Sequence, residues 1–251
     1  MTRISYKTYW TDDYERNREF FEDLVDPFRN WDRRDGHGDW AAWFLSSSLA
    51  AAYADAPAEI VRKFASAAVD VVDRAVTEDV FQTGKLAKGA FPRNRAVALR
   101  TRAYAQVLLG QSLPTDDLAQ ASRDFETRAL TMWDHQYEAY YLNGVRAALI
   151  AGDHQLFTRL LTVKRQFKCH EDEYGVLRGL VDYLPHASTG PDAEFRDRFR
   201  SLFDRYRNPE FKPDIYLELE IIRFELGAIW YLFFSQTRAF SWHDVIAAVS
   251  E

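Results

Sequence analysis

Three groups of residues in this 251-residue chain have types and spacings that invite chemistry. The first is Gly84-Lys85. A phosphate loop needs a glycine five residues before such a pair and Ser or Thr after it, so that backbone amides cradle the phosphates and a hydroxyl reaches the metal. Those positions hold Asp79 and Leu86, which excludes the loop. Lys85, Lys88, Arg93 and Arg95 still gather four cations near an expected helix start at Pro92, where free amides favour an anion. They are the candidate anion-binding residues, weighed against a plain solvated basic loop. The second group is the row Cys169-His170-Glu171-Asp172-Glu173. Neighbours on a helix point about 100° apart, so a metal site prefers i,i+3 or i,i+4 spacing, as in His-Glu-x-x-His, and that pattern does not occur. The row reads instead as the acidic first turn of a helix, opposing its dipole. The third is a set of His and Asp neighbours: His37 with Asp39, Asp134 with His135, Asp153 with His154, and His243 with Asp244. A catalytic dyad needs a nucleophile converging in space, and at three of these positions Asp has a capping role at a helix end.

These residues must be positioned by helices. Glycine and proline number 11 and 8, below average usage, and no stretch alternates apolar and polar residues in the manner of a strand. The fold class expected is all-α: a single domain over 1–251, an irregular array of about ten antiparallel helices stacked as hairpins, without a repeat consensus. From Pro57 to about Val80, apolar residues at Ile60, Phe64, Ala68, Val71 and Ala75 recur at steps of three and four. Pro92 is expected to open a helix that Gly110 stops, and Thr115 with Asp116 and Asp117 to begin the next. A hairpin spans Gln136 to about Thr162, broken by Gly152 and restarted by an Asp153 cap. Further helices are expected at 12–29, 39–54, 172–184, 192–207, 213–236 and 242–249, the last opened by a Ser241/Asp244 capping box.

Bulk charge narrows the partners. The net charge is −6, against general nucleic-acid binding, which depends on neutralising phosphates. Acids concentrate at Asp12, Asp13 and Glu15 and again at Glu171, Asp172 and Glu173, while 80–115 holds no acid and carries Lys85, Lys88, Arg93, Arg95, Arg100 and Arg102. The two acidic groups are the candidate partner-binding residues. No apolar run reaches the roughly 20 residues of a membrane span, no signal peptide is evident, and the lone Cys169 suits a reducing cytoplasm. Neither metal nor cofactor is expected. Aromatic residues reach 15%; most are expected in the core, with Trp10, Trp31, Trp40 and Trp43 as candidates for an interface. In the last long helix Glu220 and Arg223 are expected to pair.

The segments Ala87-Lys-Gly-Ala-Phe-Pro-Arg-Asn-Arg-Ala-Val-Ala-Leu-Arg100 and Tyr140-Tyr-Leu-Asn-Gly-Val-Arg-Ala-Ala-Leu-Ile-Ala-Gly-Asp153 resemble those of helical immunity proteins of bacterial polymorphic toxin systems. The family they resemble most is the one numbered forty-nine, and the similarity covers about residues 40–185. The resemblance implies a non-enzymatic protein that binds and neutralises a cognate toxin from a neighbouring cell, and it brings no catalytic residue with it. An acidic inhibitor suits a basic toxin cleft. Two alternatives stand beside it: a helical scaffold that binds a peptide or regulatory partner in a groove between hairpins, and an enzyme that uses the basic stretch 85–102 on a phosphorylated substrate.

Overall fold

The computed structural model describes residues 37–77, 90–131, 135–162, 167, 169–184, 190–208, 211, 218–234 and 241–250. The expected helix at 12–29 lies outside them. Among the described residues there are ten α-helices, one 3₁₀ turn and no strand, so the fold is all-α. They are α1 (His37–Tyr53), α2 (Ala58–Thr77), α3 (Ala90–Leu108), α4 (Thr115–Thr131), α5 (His135–Ile150), α6 (His154–Leu160), α7 (Glu171–Gly179), the 3₁₀ turn Leu180–Tyr183, α8 (Ala193–Arg207), α9 (Leu219–Phe234) and α10 (Trp242–Ser250).

Local signals end and start these helices where the chain announces them. Gly110 and Gly152 take φ of +82° and +75°, the left-handed conformation that glycine adopts without strain. Each closes a Schellman cap. Gln111 N–H donates to Gln106 O at 2.9 Å and Gly110 N–H to Val107 O at 2.9 Å; the same pattern joins Asp153 to Ala148 and Gly152 to Leu149. Asp153 then caps α6 by accepting from Leu156 N–H at 3.0 Å, and Asp192 caps α8 through Phe195 N–H at 2.8 Å. Before α10, Ser241 and Asp244 form the reciprocal box, the Ser241 N–H donating to Asp244 Oδ2 at 2.9 Å and the Asp244 N–H reaching back to Ser241 Oγ at 3.4 Å.

Two boundaries differ from expectation. Helix α3 starts at Ala90, two residues before Pro92; a proline in the first turn loses no hydrogen bond, because the first four amides have no partner within the helix. The helix expected over 172–184 is α7 followed by the 3₁₀ turn, the tighter winding common at helix ends. At that junction Gly179 lets α8 come close, since a Cβ there would lie 2.3 Å from Phe195 Cε2. The last long helix begins at Leu219 among the described residues, and Pro213 lies outside them.

Packing follows from which helices are apolar all round. Helix α9 buries almost every residue from Leu219 to Ile229, so it needs neighbours on all sides and has them in α1, α5, α8 and α10. Gly227 admits α10 on one side, where a Cβ would meet Val245 Cγ1 at 3.0 Å. Helix α5 is likewise buried from Glu138 to Ile150. Helices α1 to α5 each pack on the next, α1 also meets α3, and one continuous core takes residues from all ten helices. Trp40 and Trp43 stack edge to face at 6.2 Å against this core. Trp10 and Trp31 lie outside the described residues. No described helix is long and apolar enough to cross a membrane.

Candidate functional site

The two buried helices carry charge into the interior. On α5, Asn143 and Arg146 are three residues apart and share a face; on α3, Arg100 and Tyr104 are four apart; Glu218, in the turn that opens α9, and Glu225 are seven apart. These three faces converge, joined by Glu173 of α7 and Tyr206 of α8. Arg146 is the hub. Its Nε donates to Glu225 Oε2 at 2.7 Å, its Nη1 donates to Glu173 Oε1, and its Nη2 donates to Asn143 Oδ1. Tyr206 donates to the other oxygen of Glu173 at 2.5 Å, and Tyr104 to Glu225 Oε1 at 3.0 Å. Asn143 Nδ2 and Arg100 Nη2 both donate to Glu218 Oε2, at 2.5 and 2.9 Å. All five charged groups are almost fully buried: Arg100, Arg146, Glu173, Glu218 and Glu225.

Burial of charge at this density requires pairing, because an isolated ion in the interior costs several kcal/mol of lost hydration. Burial disfavours the Arg146 cation, but Glu173 and Glu225 together outweigh it and push the pKa up, so the residue stays charged. The same balance, with Glu225 and Glu218 as the partners, holds for Arg100. Burial and then the adjacent carboxylate raise the Tyr104 and Tyr206 hydroxyls above the usual tyrosine range, which keeps them as donors. Arg100 is the least satisfied member. Its Nε stands 3.7 Å from Glu225 Oε1, neither Nε nor Nη1 has a hydrogen-bond partner among the described residues, and its guanidinium lies 5.4 Å from the Phe125 ring centroid. A second buried guanidinium, Arg223, clasps the end of α8 by donating to Tyr206 O at 2.6 Å, where helix carbonyls lack partners; it also meets Glu220 at 3.4 Å, the pair expected from their spacing.

The predicted site residues divide. Asp12, Asp13, Glu15, Lys85 and Lys88 lie outside the described residues, as does the side chain of Arg93. Arg95 is held in a two-pronged ion pair, Nε to Asp124 Oδ2 at 2.6 Å and Nη2 to Asp124 Oδ1 at 2.5 Å, so its charge is already answered. Arg102 is shared by Asp117 and Asp73 in the same way. The acidic row at α7 splits by helix geometry: Glu171 and Asp172 are exposed, whereas Glu173 turns inward to Arg146 and Tyr206. The expectation that all three form one exposed patch is therefore corrected at Glu173. Because the three carboxylates diverge, they do not close on one metal ion, and among the described residues no cluster of His, Cys, Asp and Glu has the geometry of a metal site.

Sequence reasoning missed Glu138, Asn143, Arg146, Glu218 and Glu225 as interior partners. Glu138, on α5, accepts from the backbone amides of Cys169 and His170 at 2.9 and 3.3 Å, and so ties the two residues that lead into α7 to α5. The available signal was a polar residue on an otherwise apolar face: Asn143 and Arg146 within Ala139–Ile150, and Glu225 within Leu219–Ile229.

The outer surface offers a different feature. Between the start of α4, the α5–α6 turn and the 3₁₀ turn lies an open hollow of about 1080 Å³, and a second of about 750 Å³ adjoins it beside α7. Thr158 and Val181 line both, so the two hollows are neighbours with a common wall, together called the trough below. No family model, curated protein or solved structure matches this chain.

Proposed function

We propose that this protein acts by binding another protein, as an immunity protein that neutralises a cognate toxin in the cytoplasm. The observation that carries the reading is the division of charge. The groups with the chemistry for catalysis, Arg100, Arg146, Glu173, Glu218 and Glu225, are sealed in the core and spent on one another. The carboxylates left at the surface, Glu171 and Asp172 of α7 among them, belong to a chain of net charge −6, which suits a basic partner. The resemblance of 87–100 and 140–153 to immunity proteins points the same way. An enzyme using the basic stretch is less well supported, because Arg95, Arg100 and Arg102 are each held by carboxylates of this chain.

The test is capture of partners by the tagged full-length protein from the cells that make it, at low and moderate salt, with mass spectrometry of what is retained. The expected outcome is one stoichiometric partner with a toxin domain, whose association slows as salt screens the attraction. Reversing charge with Glu171→Lys and Asp172→Lys is expected to slow association further. A diverse set of weakly held peptides would instead favour the scaffold reading.

A further inference from the structure

The trough has a chemistry of its own. Its walls include the apolar Ala119, Ala151, Leu161, Val181 and Leu184, and its edges carry charge. Two lining residues, Asp116 and Asp182, are exposed carboxylates with no ion pair or hydrogen bond among the described residues. Glu171, also exposed and unpaired, stands four residues before Gly175 and seven before Arg178, so helix geometry sets it on the α7 face that lines the second hollow. Asp153 contributes a further negative charge while it caps α6. Two cations face these acids. Arg159 is neutralised by Glu126, its Nη1 2.6 Å from Oε1, and Arg178 is the single exposed guanidinium of the described lining without a pairing. Among the described residues the unanswered charge is therefore acidic, Asp116, Asp182 and Glu171 against Arg178, beside apolar wall residues.

We propose that this trough is the docking groove for a basic, amphipathic segment of the partner protein, its apolar side chains on Val181 and Leu184 and its lysines or arginines on Asp116, Asp182 and Glu171. The proposal rests on the binding-protein reading and adds the surface and the chemistry of what it receives. An open trough along three elements fits a length of chain laid into it, the helix-in-groove mode in which anchors recur at i, i+3/4 and i+7. A small ligand would need an enclosing pocket.

The test uses the full-length protein and two labelled synthetic helices, one of leucine and lysine in amphipathic order and one with glutamate in place of lysine, followed by fluorescence anisotropy at low and moderate salt. The Lys/Leu helix is expected to bind at least about tenfold more tightly than the Glu/Leu helix, with the gap shrinking as salt rises. Thr158→Arg, which places a cation on the wall shared by both hollows, and separately Asp116→Lys with Asp182→Lys on exposed positions, are expected to weaken it by about tenfold or more. Glu59→Lys with Asp70→Lys on α2, two exposed positions away from the lining and matched in charge to that pair, is expected to leave it unchanged. Should Thr158→Arg disturb folding, as judged by circular dichroism, the exposed pair decides alone. Equal binding of the two helices, no binding of the Lys/Leu helix, or an equal loss in Glu59→Lys with Asp70→Lys would overturn the groove. Failure of the two ideas is distinguishable. A captured toxin that binds Asp116→Lys/Asp182→Lys as well as wild type removes the groove and leaves immunity standing; peptide binding with no toxin captured does the reverse.

Discussion

Asp172 and Glu173 are consecutive residues of one helix turn, both carboxylates, both facing an arginine, and they do opposite work. Asp172 is exposed and meets Arg205 directly at 3.2 Å on the surface; Glu173 is about 1% exposed and shares Arg146 with Glu225. The surface pair gains little, because water and salt screen it and two long side chains must be ordered. The buried pair gains much Coulomb energy but has already lost the hydration of both ions, so its net worth is small while the cost of removing one partner is large. The interior network therefore acts less as a source of stability than as a condition for packing. Helices α3, α5, α7, α8 and α9 meet only in an arrangement that pairs every one of these ions.

The comparison breaks first at Glu225. Glu225→Ala leaves Arg146 and Tyr104 without their shared acceptor and removes from Arg100 a counter-ion 3.7 Å away, so that two buried guanidinium groups keep one carboxylate each, Glu173 and Glu218. It is expected to cost about 3–5 kcal/mol or prevent folding, as read by urea denaturation. A loss under about 1 kcal/mol would mean that the interior tolerates the loss of one carboxylate of the network, and that the contrast with Asp172 is only one of exposure.

A second effect separates the regions by pH. Burial and Glu225 raise the Tyr104 pKa, and burial and Glu173 raise that of Tyr206, above the ordinary value of about 10. The folded state thus holds protons that the unfolded chain releases. Their contribution is complete below about pH 10 and is lost as the pH climbs from there towards the folded values, by up to about 1.4 kcal/mol per pH unit for each tyrosine. Stability followed between about pH 9 and 11 is expected to fall less steeply in Tyr104→Phe than in wild type. Identical slopes would show that the Tyr104 proton is not linked to folding.

The smallest effect is the mirror of the first. Asp172→Ala removes an exposed ion pair and is expected to change stability by about 0–1 kcal/mol, with even that vanishing at high salt. Any effect it has on partner association then reports on the interface and not on the fold.

Much of the architecture was legible because its signals are local. The glycines at 110 and 152, the Asp153 cap and the Ser241/Asp244 box each act within a few residues, so their chemistry can be read in a short window. The Glu220–Arg223 pair was legible for the same reason. The inward turn of Glu173 was not, although it sits in a row of acids with an obvious surface explanation. Its position is set by Arg146, 27 residues earlier, and by Tyr206, 33 residues later. Likewise the basic stretch looked available for an anion, and the structure supplies Asp124 for Arg95 and Glu218 for Arg100, the latter 118 residues away.

Residue order alone thus determined that the chain is helical, where most described helices begin and end, and that its balance of charge is acidic. Those properties depend on propensity, periodicity and capping, all of which act along the chain over a turn or two. Only the tertiary structure decided which charges are interior and which remain at the surface. That assignment depends on helices distant in sequence meeting face to face, where loss of water turns a modest attraction into a requirement that each ion find its counterpart.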